Sequence, residues 1–275
     1  MTIRRAPATP LIGVVQEFWA TDEVDSRSAD LSRCEFMLPS GKMNLVFRLS
    51  NNPLWLYEPG RPESVTRFNQ AMLGGVRSRY YIRQFCNPSS AVGAVLRPGA
   101  AAMFRVSADE LAHRHTPLVD LLGELANRLY EQLSAAQCLH QRINLLEAAL
   151  LARVSYIKAP TAVDNAMTSF QDLPNVGAMV QRSGLSHRHF IARFRQSVGL
   201  SPKRYLQILR FQKALQMLRS PNAPSLAHLA MEMGYSDQSH FNRDFLCFAG
   251  VTPLTYQRNP PSEANHLPAK MPFRK

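Results

Sequence analysis

Between Thr9 and Ala112 the apolar residues come in short runs separated by Gly and Pro. Leu11-Ile12-Gly13-Val14-Val15 is followed by Phe18-Trp19, and Met43-Asn44-Leu45-Val46-Phe47-Arg48-Leu49 follows the turn Pro39-Ser40-Gly41. Leu54-Trp55-Leu56-Tyr57 stops at Pro59-Gly60. Ala71–Val76, Arg79–Ile82 and Ala91–Arg97 complete the series, the last ending at Pro98-Gly99. Short apolar runs broken at this rhythm predict a β-sandwich or small barrel. From Pro117 to Val154 the period changes. Leu118, Leu121, Leu122, Leu125, Leu129 and Leu133 form one helical stripe, and Ile143, Leu146, Ala149 and Leu150 a second. These spacings predict two amphipathic helices joined near Ala135–Gln141, which pack either on the β unit or on a copy of themselves. Tyr156–Leu173, with Pro160 and several Thr, Ser and Asp residues, reads as a linker.

The strongest pattern follows. Val176, Met179 and Val180 stand at helical spacing and stop at Ser183-Gly184-Leu185, where glycine can take the left-handed conformation that ends a helix. Ser186 then caps a helix over His187–Val198, which ends at Gly199. Helix, short Gly-containing turn, helix is a helix-turn-helix. Ser201-Pro202 opens a long helix over Lys203–Arg219. The first phrase then returns: Ser225 caps a helix with Leu226, Leu229, Ala230 and Met233, Gly234-Tyr235-Ser236 makes the turn, and Asp237–Phe248 forms the next helix before Ala249-Gly250. Gly184-Leu185-Ser186, Phe190, Phe194 and Gly199-Leu200-Ser201-Pro202 recur as Gly234-Tyr235-Ser236, Phe241, Phe245 and Gly250-Val251-Thr252-Pro253, at an offset of about 50 residues, constant to within one. One structural unit is used twice.

Charge sharpens this division. The chain has 275 residues and a net charge of +12, of which residues 1–172 carry +2, residues 173–258 carry +8 and residues 259–275 carry +2. A compact basic segment suits a polyanionic partner, because Lys and Arg release counterions condensed on phosphates. Four well-spaced cysteines, Cys34, Cys86, Cys138 and Cys247, form no zinc-ligand spacing and read as small hydrophobes. No apolar run is long enough to cross a bilayer, and no apolar stretch follows Arg4 and Arg5 as a secretory signal would require. There is no Gly-x-Ser-x-Gly elbow and no Gly-rich phosphate loop. His113 and His115 form a His-x-His pair, read as exposed loop histidines; no metal or other cofactor is expected.

Ala230, Gly234–Phe241, Arg243, Phe245, Gly250-Val251-Thr252-Pro253 and Tyr256-Gln257-Arg258 resemble the signature of the arabinose-regulator (AraC/XylS-type) transcription factors. The resemblance covers about 85 residues. The first unit departs from the family pattern at Val180, Ala192 and Arg193. Pro39–Phe47, Leu96-Arg97-Pro98-Gly99-Ala100 and Pro117–Gly123 are similar to the sensor half of a subgroup with a cupin-like β domain and a helical pair. The resemblance implies an α+β chain: a sensor or oligomerisation domain over 9–155, a linker over 156–172, a DNA-binding domain over 173–258 and a flexible tail over 259–275. It implies a bacterial, cytoplasmic, non-enzymatic transcription regulator. Its partners would be double-stranded DNA, RNA polymerase, a small-molecule effector and a second copy of the chain, with no membrane. The rival class is a DNA-localised enzyme or binding protein whose β domain carries the chemistry; Cys34 and Cys86 lack the setting an alkyl-transfer nucleophile needs.

The recognition residues can be read from helix geometry. With Phe190 and Phe194 facing inward, His187, Arg188, Ile191, Ala192 and Arg195 are offered outward; with Phe241 and Phe245 inward, Gln238, Ser239, His240, Asn242 and Arg243 are offered. The N-terminal residues of such a helix meet base edges in the major groove, where Gln suits adenine and Arg guanine. Trp19, Trp55, Tyr57 and Tyr81 are the candidate lining of an effector pocket, against the alternative that they are simple core. Residues 173–258 carry their own caps and apolar faces and are expected to fold and bind DNA alone.

Overall fold

The computed structural model describes residues 1–23, 33–85, 89–156, 163, 167 and 175–269. Cys86, most of the expected linker and residues 270–275 of the expected tail lie outside the described residues.

Two antiparallel sheets carry the N-terminal half. The first orders Thr2–Arg5 (β1), Val15–Glu23 (β2), Ser89–Leu96 (β9), Met43–Arg48 (β4), Ala71–Gly74 (β7) and His115–Pro117 (β10) side by side. The second orders His266–Ala269 (β11), Arg33–Met37 (β3), Tyr81–Phe85 (β8), Leu54–Glu58 (β5) and Arg61–Phe68 (β6). Alternation along each strand decides the faces. Phe18, Ala20, Met43, Leu45, Phe47, Val92, Ala94 and Leu96 point from the first sheet into one core. The opposite face carries the cross-strand row Trp19, Gly93, Val46 and Met72. This face meets Leu54, Leu56, Phe68 and Phe85 of the second sheet.

The helical stripes cover the outer face of the first sheet. Leu118–Leu122 (α2) breaks at Gly123, whose φ of +54° is left-handed, before Glu124–Ala135 (α3); Leu139–Leu151 (α4) follows. Leu118, Leu129, Leu133, Ile143, Leu146 and Leu150 are buried in the core with Phe18 and Phe47. The stripes therefore pack on their own domain, which leaves those leucines no part in a seam between copies. A short helix, Ala108–Leu111 (α1), precedes them.

Among the described residues from Val176 to Arg258 the elements are all helices: Val176–Ser183 (α5), His187–Val198 (α6), Pro202–Leu218 (α7), Leu226–Glu232 (α8), Gln238–Ala249 (α9) and Pro253–Arg258 (α10). The chain is thus α+β, with the elements segregated as expected.

Three expectations about boundaries are corrected. The β domain begins before Thr9, because β1 pairs with β2. Residues 259–275 are not a free tail throughout, since β11 extends the second sheet by pairing with β3, with Leu267 opposite Phe36. The interval 156–172 is not wholly a linker: Val163 is buried with Met179, Phe190 and Phe194, and Met167 packs against the same cluster. In each case a segment too short or too polar to announce itself is held by a distant partner.

Candidate nucleic-acid interface

Each helix of the repeated unit begins where a side chain can satisfy its free backbone N–H groups. Asn175 Oδ1 accepts from Ala178 N–H at 2.8 Å, Ser186 Oγ from His189 N–H at 3.4 Å, and Asp237 Oδ1 from His240 N–H at 2.7 Å. Ser201, Ser225 and Thr252 cap α7, α8 and α10 in the same way. The His240 N–H, then the Ser236 hydroxyl, hold the Asp237 carboxyl below the usual carboxylate range. At the far ends, Gly199 and Gly250 take φ of +88° and +72° and let the chain turn into the next element.

The phenylalanine pairs anchor the helices. Phe190 and Phe194 stack at 5.6 Å, and Phe194 meets Tyr205 edge-on at 5.6 Å. Phe241 and Phe245 repeat this at 5.8 Å, with Phe245 against Tyr256 at 5.9 Å. Both tyrosine hydroxyls are pushed up to about 12 by burial. Two copies of one aromatic arrangement thus orient two recognition helices. α7 links them, touching the first unit through Tyr205 and the second through Phe211, which packs on Phe245.

With those faces buried, His187, Arg188, Ala192 and Arg195 are exposed on α6, as are Gln238, Ser239, His240 and Arg243 on α9. Ile191 and Asn242, each one residue after the first phenylalanine of its pair, are half-buried on the flank. Asn242 Oδ1 is sealed from solvent without a hydrogen-bond partner, so its acceptor is not presented to a groove. His240 is exposed but tethered: Nδ1 lies 3.3 Å from Ser236 Oγ and the ring stands edge-on to Tyr235. His189 is also exposed on α6. The same 100° rotation per residue that selected Arg188 places it on the outward face. Among the described residues no carboxylate stands within ion-pair distance of Arg188, Arg193, Arg195 or Arg243.

The four candidate pocket aromatics are not brought together. Trp19 and Tyr81 point between the two sheets, where Tyr81 packs on the His115 ring at 4.7 Å. Trp55 and Tyr57 alternate with the buried Leu54 and Leu56 and so occupy the opposite face of the second sheet, with Tyr57 Oη donating to Gln84 at 2.6 Å. His115 is not a loop residue. It lies on β10 opposite Gly74, between the rings of Tyr81 and Phe68, and burial pushes its pKa down to about 3. Among the described residues no three His, Cys, Asp or Glu side chains cluster as metal ligands would, and no helix is long and apolar enough to cross a membrane.

Residues 179–259 match a helix-turn-helix domain family, and residues 3–117 match a domain of unknown function, DUF6597. The chain is 28% identical over 116 residues to an uncharacterized HTH-type transcriptional regulator of Haemophilus influenzae, covering 42% of this chain and 39% of that protein. It is 38% identical over 76 residues to the HTH-type transcriptional activator RhaS of Escherichia coli, covering 28% of this chain and 27% of that protein. The matched region thus spans well under half the length of these curated relatives. The structure is also similar to ToxT from Vibrio cholerae, with a TM-score of 0.43 and 10% identity over 94% of this chain and 98% of that one.

Proposed function

We propose that the protein is an AraC-type, sequence-specific, DNA-binding transcription regulator acting in the cytoplasm, on the premise that residues 179–259 match a helix-turn-helix domain family. One observation carries the reading: two copies of one capped, aromatic-anchored helix pair expose their recognition turns within a segment of net charge +8. The two helices read successive major grooves. α7, 17 residues and about 25 Å long, spans the distance between them. Gln238, Ser239, His240 and Arg243 supply base contacts in one segment of the operator. Arg188 and Arg195 supply mainly phosphate contacts in the other, with Ile191 and Ala192 against thymine methyl groups. His187 sits at the first turn of α6, beside the phosphates.

The β domain senses. A small-molecule effector enters between the two sheets, on the side where Tyr81 packs on His115 and where neutral His115 can both donate and accept. RNA polymerase is the machinery acted upon, and a second copy of the chain is a further partner. The test is selection and sequencing of genomic fragments bound by the purified full chain, followed by footprinting. The expected result is a non-palindromic site of two segments about 10 bp apart, with binding that weakens steeply with salt. Uniform binding of all fragments would refute sequence-specific regulation.

A further inference from the structure

The two recognition helices end against the same short piece of the β domain. A Cβ placed on Gly199, after α6, would stand 2.6 Å from Val76 Cγ1 and 2.7 Å from the Ala108 carbonyl oxygen. One placed on Gly250, after α9, would stand 2.6 Å from the Tyr80 ring. Val76 and Tyr80 are four residues apart on the connection from β7 to β8, so their Cα atoms are at most about 14 Å apart. The residues between them continue the contact. The Ser78 carbonyl accepts from Arg204 Nη2 of α7 at 2.7 Å, and Tyr80 N–H donates to the Phe248 carbonyl in the last turn of α9 at 3.1 Å. Arg204 also lies over the Phe248 ring, 4.3 Å from its centroid, and donates to Gln207, which in turn donates to Asp244 of α9.

This connection is braced from its own side. Gly75 N–H donates to the Arg114 carbonyl and His113 N–H to the Val76 carbonyl, both at 2.9 Å. Gly75 approaches Leu111 so closely that a Cβ would fall 1.8 Å from its carbonyl oxygen. Arg77 points back into the β domain: its buried guanidinium pairs with Glu58 at 2.6 Å, donates to the His113 carbonyl and lies over the Tyr81 ring. Val76, Ser78 and Tyr80 therefore face the helices while Arg77 fastens the segment behind them.

We propose that residues 76–80 are a ruler, which fixes the spacing and rotation of the two recognition helices and so determines which separation of operator segments the protein accepts. The inference rests on the regulatory reading above. α7 alone joins the two units along one axis, and hinging or twisting at either end would let one unit turn against the other. A braced segment touching the ends of both recognition helices closes the triangle. One inserted base pair shifts a segment by about 3.4 Å and about 35°, a displacement a closed triangle cannot absorb.

The test uses the full chain and the selected operator, remade with one or two base pairs inserted or removed between segments, and with each segment alone. The wild-type chain should bind about tenfold more weakly for each base pair of displacement. Tyr80→Ala and Arg204→Gln should flatten this to less than about threefold per base pair, with affinity for single segments unchanged within about twofold. Arg204→Gln removes the hydrogen bonds to the Ser78 carbonyl and Gln207 and the contact with the Phe248 ring but little buried volume, and it carries the test alone if Tyr80→Ala does not fold. A flat wild-type profile, or a sharp one that the folded variants keep, overturns the ruler. A wild-type chain with no preferred operator overturns instead the regulatory reading on which it rests.

Discussion

The two helix-turn-helix units share one design and differ in what surrounds it. The buried core of the first is small: Val163, Met179, Phe190, Phe194, Val198, Tyr205 and Leu206. The second adds Phe211, Phe248 and Tyr256 around Phe241 and Phe245, and takes Leu38, Val76 and Leu267 from the β domain and its last strand into the same core. Its recognition surface differs in step. Arg243 stands where the first unit has Ala192, Gln238 where it has His187, and Leu246 where it has Arg195. On the proposed reading, the better-buttressed unit carries the hydrogen-bonding groups for bases, and the lighter one carries cations for phosphate. Base reading demands placement to within a fraction of an ångström, which a larger core supplies; phosphate attraction tolerates play.

The largest expected effect separates the cores. Phe245→Ala should cost about 3–5 kcal/mol and lower the unfolding midpoint of the whole chain in urea, because its cluster includes residues of the β domain. Phe194→Ala should cost a similar amount locally, unfolding the first unit while the β-domain transition stays in place. Identical loss of all structure in both variants would show that the units do not differ in their coupling.

The recognition surfaces give the next effect. Arg243→Ala should weaken specific binding by about 1–3 kcal/mol and relax base preference in one operator segment. Arg188→Ala should cost less and reduce the salt slope without changing sequence preference. Equal stringency of the two segments, in a saturation-mutated operator read with both variants, would break the division.

A pH series tests the tie between the second unit and the β domain. His266, on β11, is pushed down to about 3 by burial and by Arg83 and Arg4; His115 is likewise near 3 through burial and Arg77. Both stay neutral in the folded chain while the unfolded chain takes up protons below about 6.5. The unfolded state then binds more protons, so stability falls as pH drops from about 6.5 towards 3. His266→Gln should shallow the decline in melting temperature over that window, and an unchanged slope would remove His266 from the account.

The smallest effect concerns a cap. Ser186→Ala should cost about 1 kcal/mol and raise hydrogen exchange at the first turn of α6, leaving α9 unaffected. Equal exchange changes in both helices would mean the units open together.

The amino-acid sequence by itself determined the elements whose causes are local. Ser186, Ser201 and Ser225 cap helices within three residues, Gly199 and Gly250 end them, and phenylalanines four apart mark the inward face, so the repeated unit and its outward residues were legible. The flank was less so: the sidedness that exposes Arg243 half-buries Asn242, one residue away. Only the tertiary structure decided what depends on distant partners. Leu54-Trp55-Leu56-Tyr57 announces a strand with two faces, yet which face meets the other sheet is set by pairing with β6 and β8. β11 is four residues that become a strand only because β3, about 230 residues earlier in the chain, offers an unpaired edge. Val76 and Tyr80 read as the end of one apolar run and the start of another, with Ser78 between them. Their contact with both recognition helices exists because two domains, each folded by its own local rules, present complementary surfaces across more than a hundred residues of chain, a separation that no periodicity can encode.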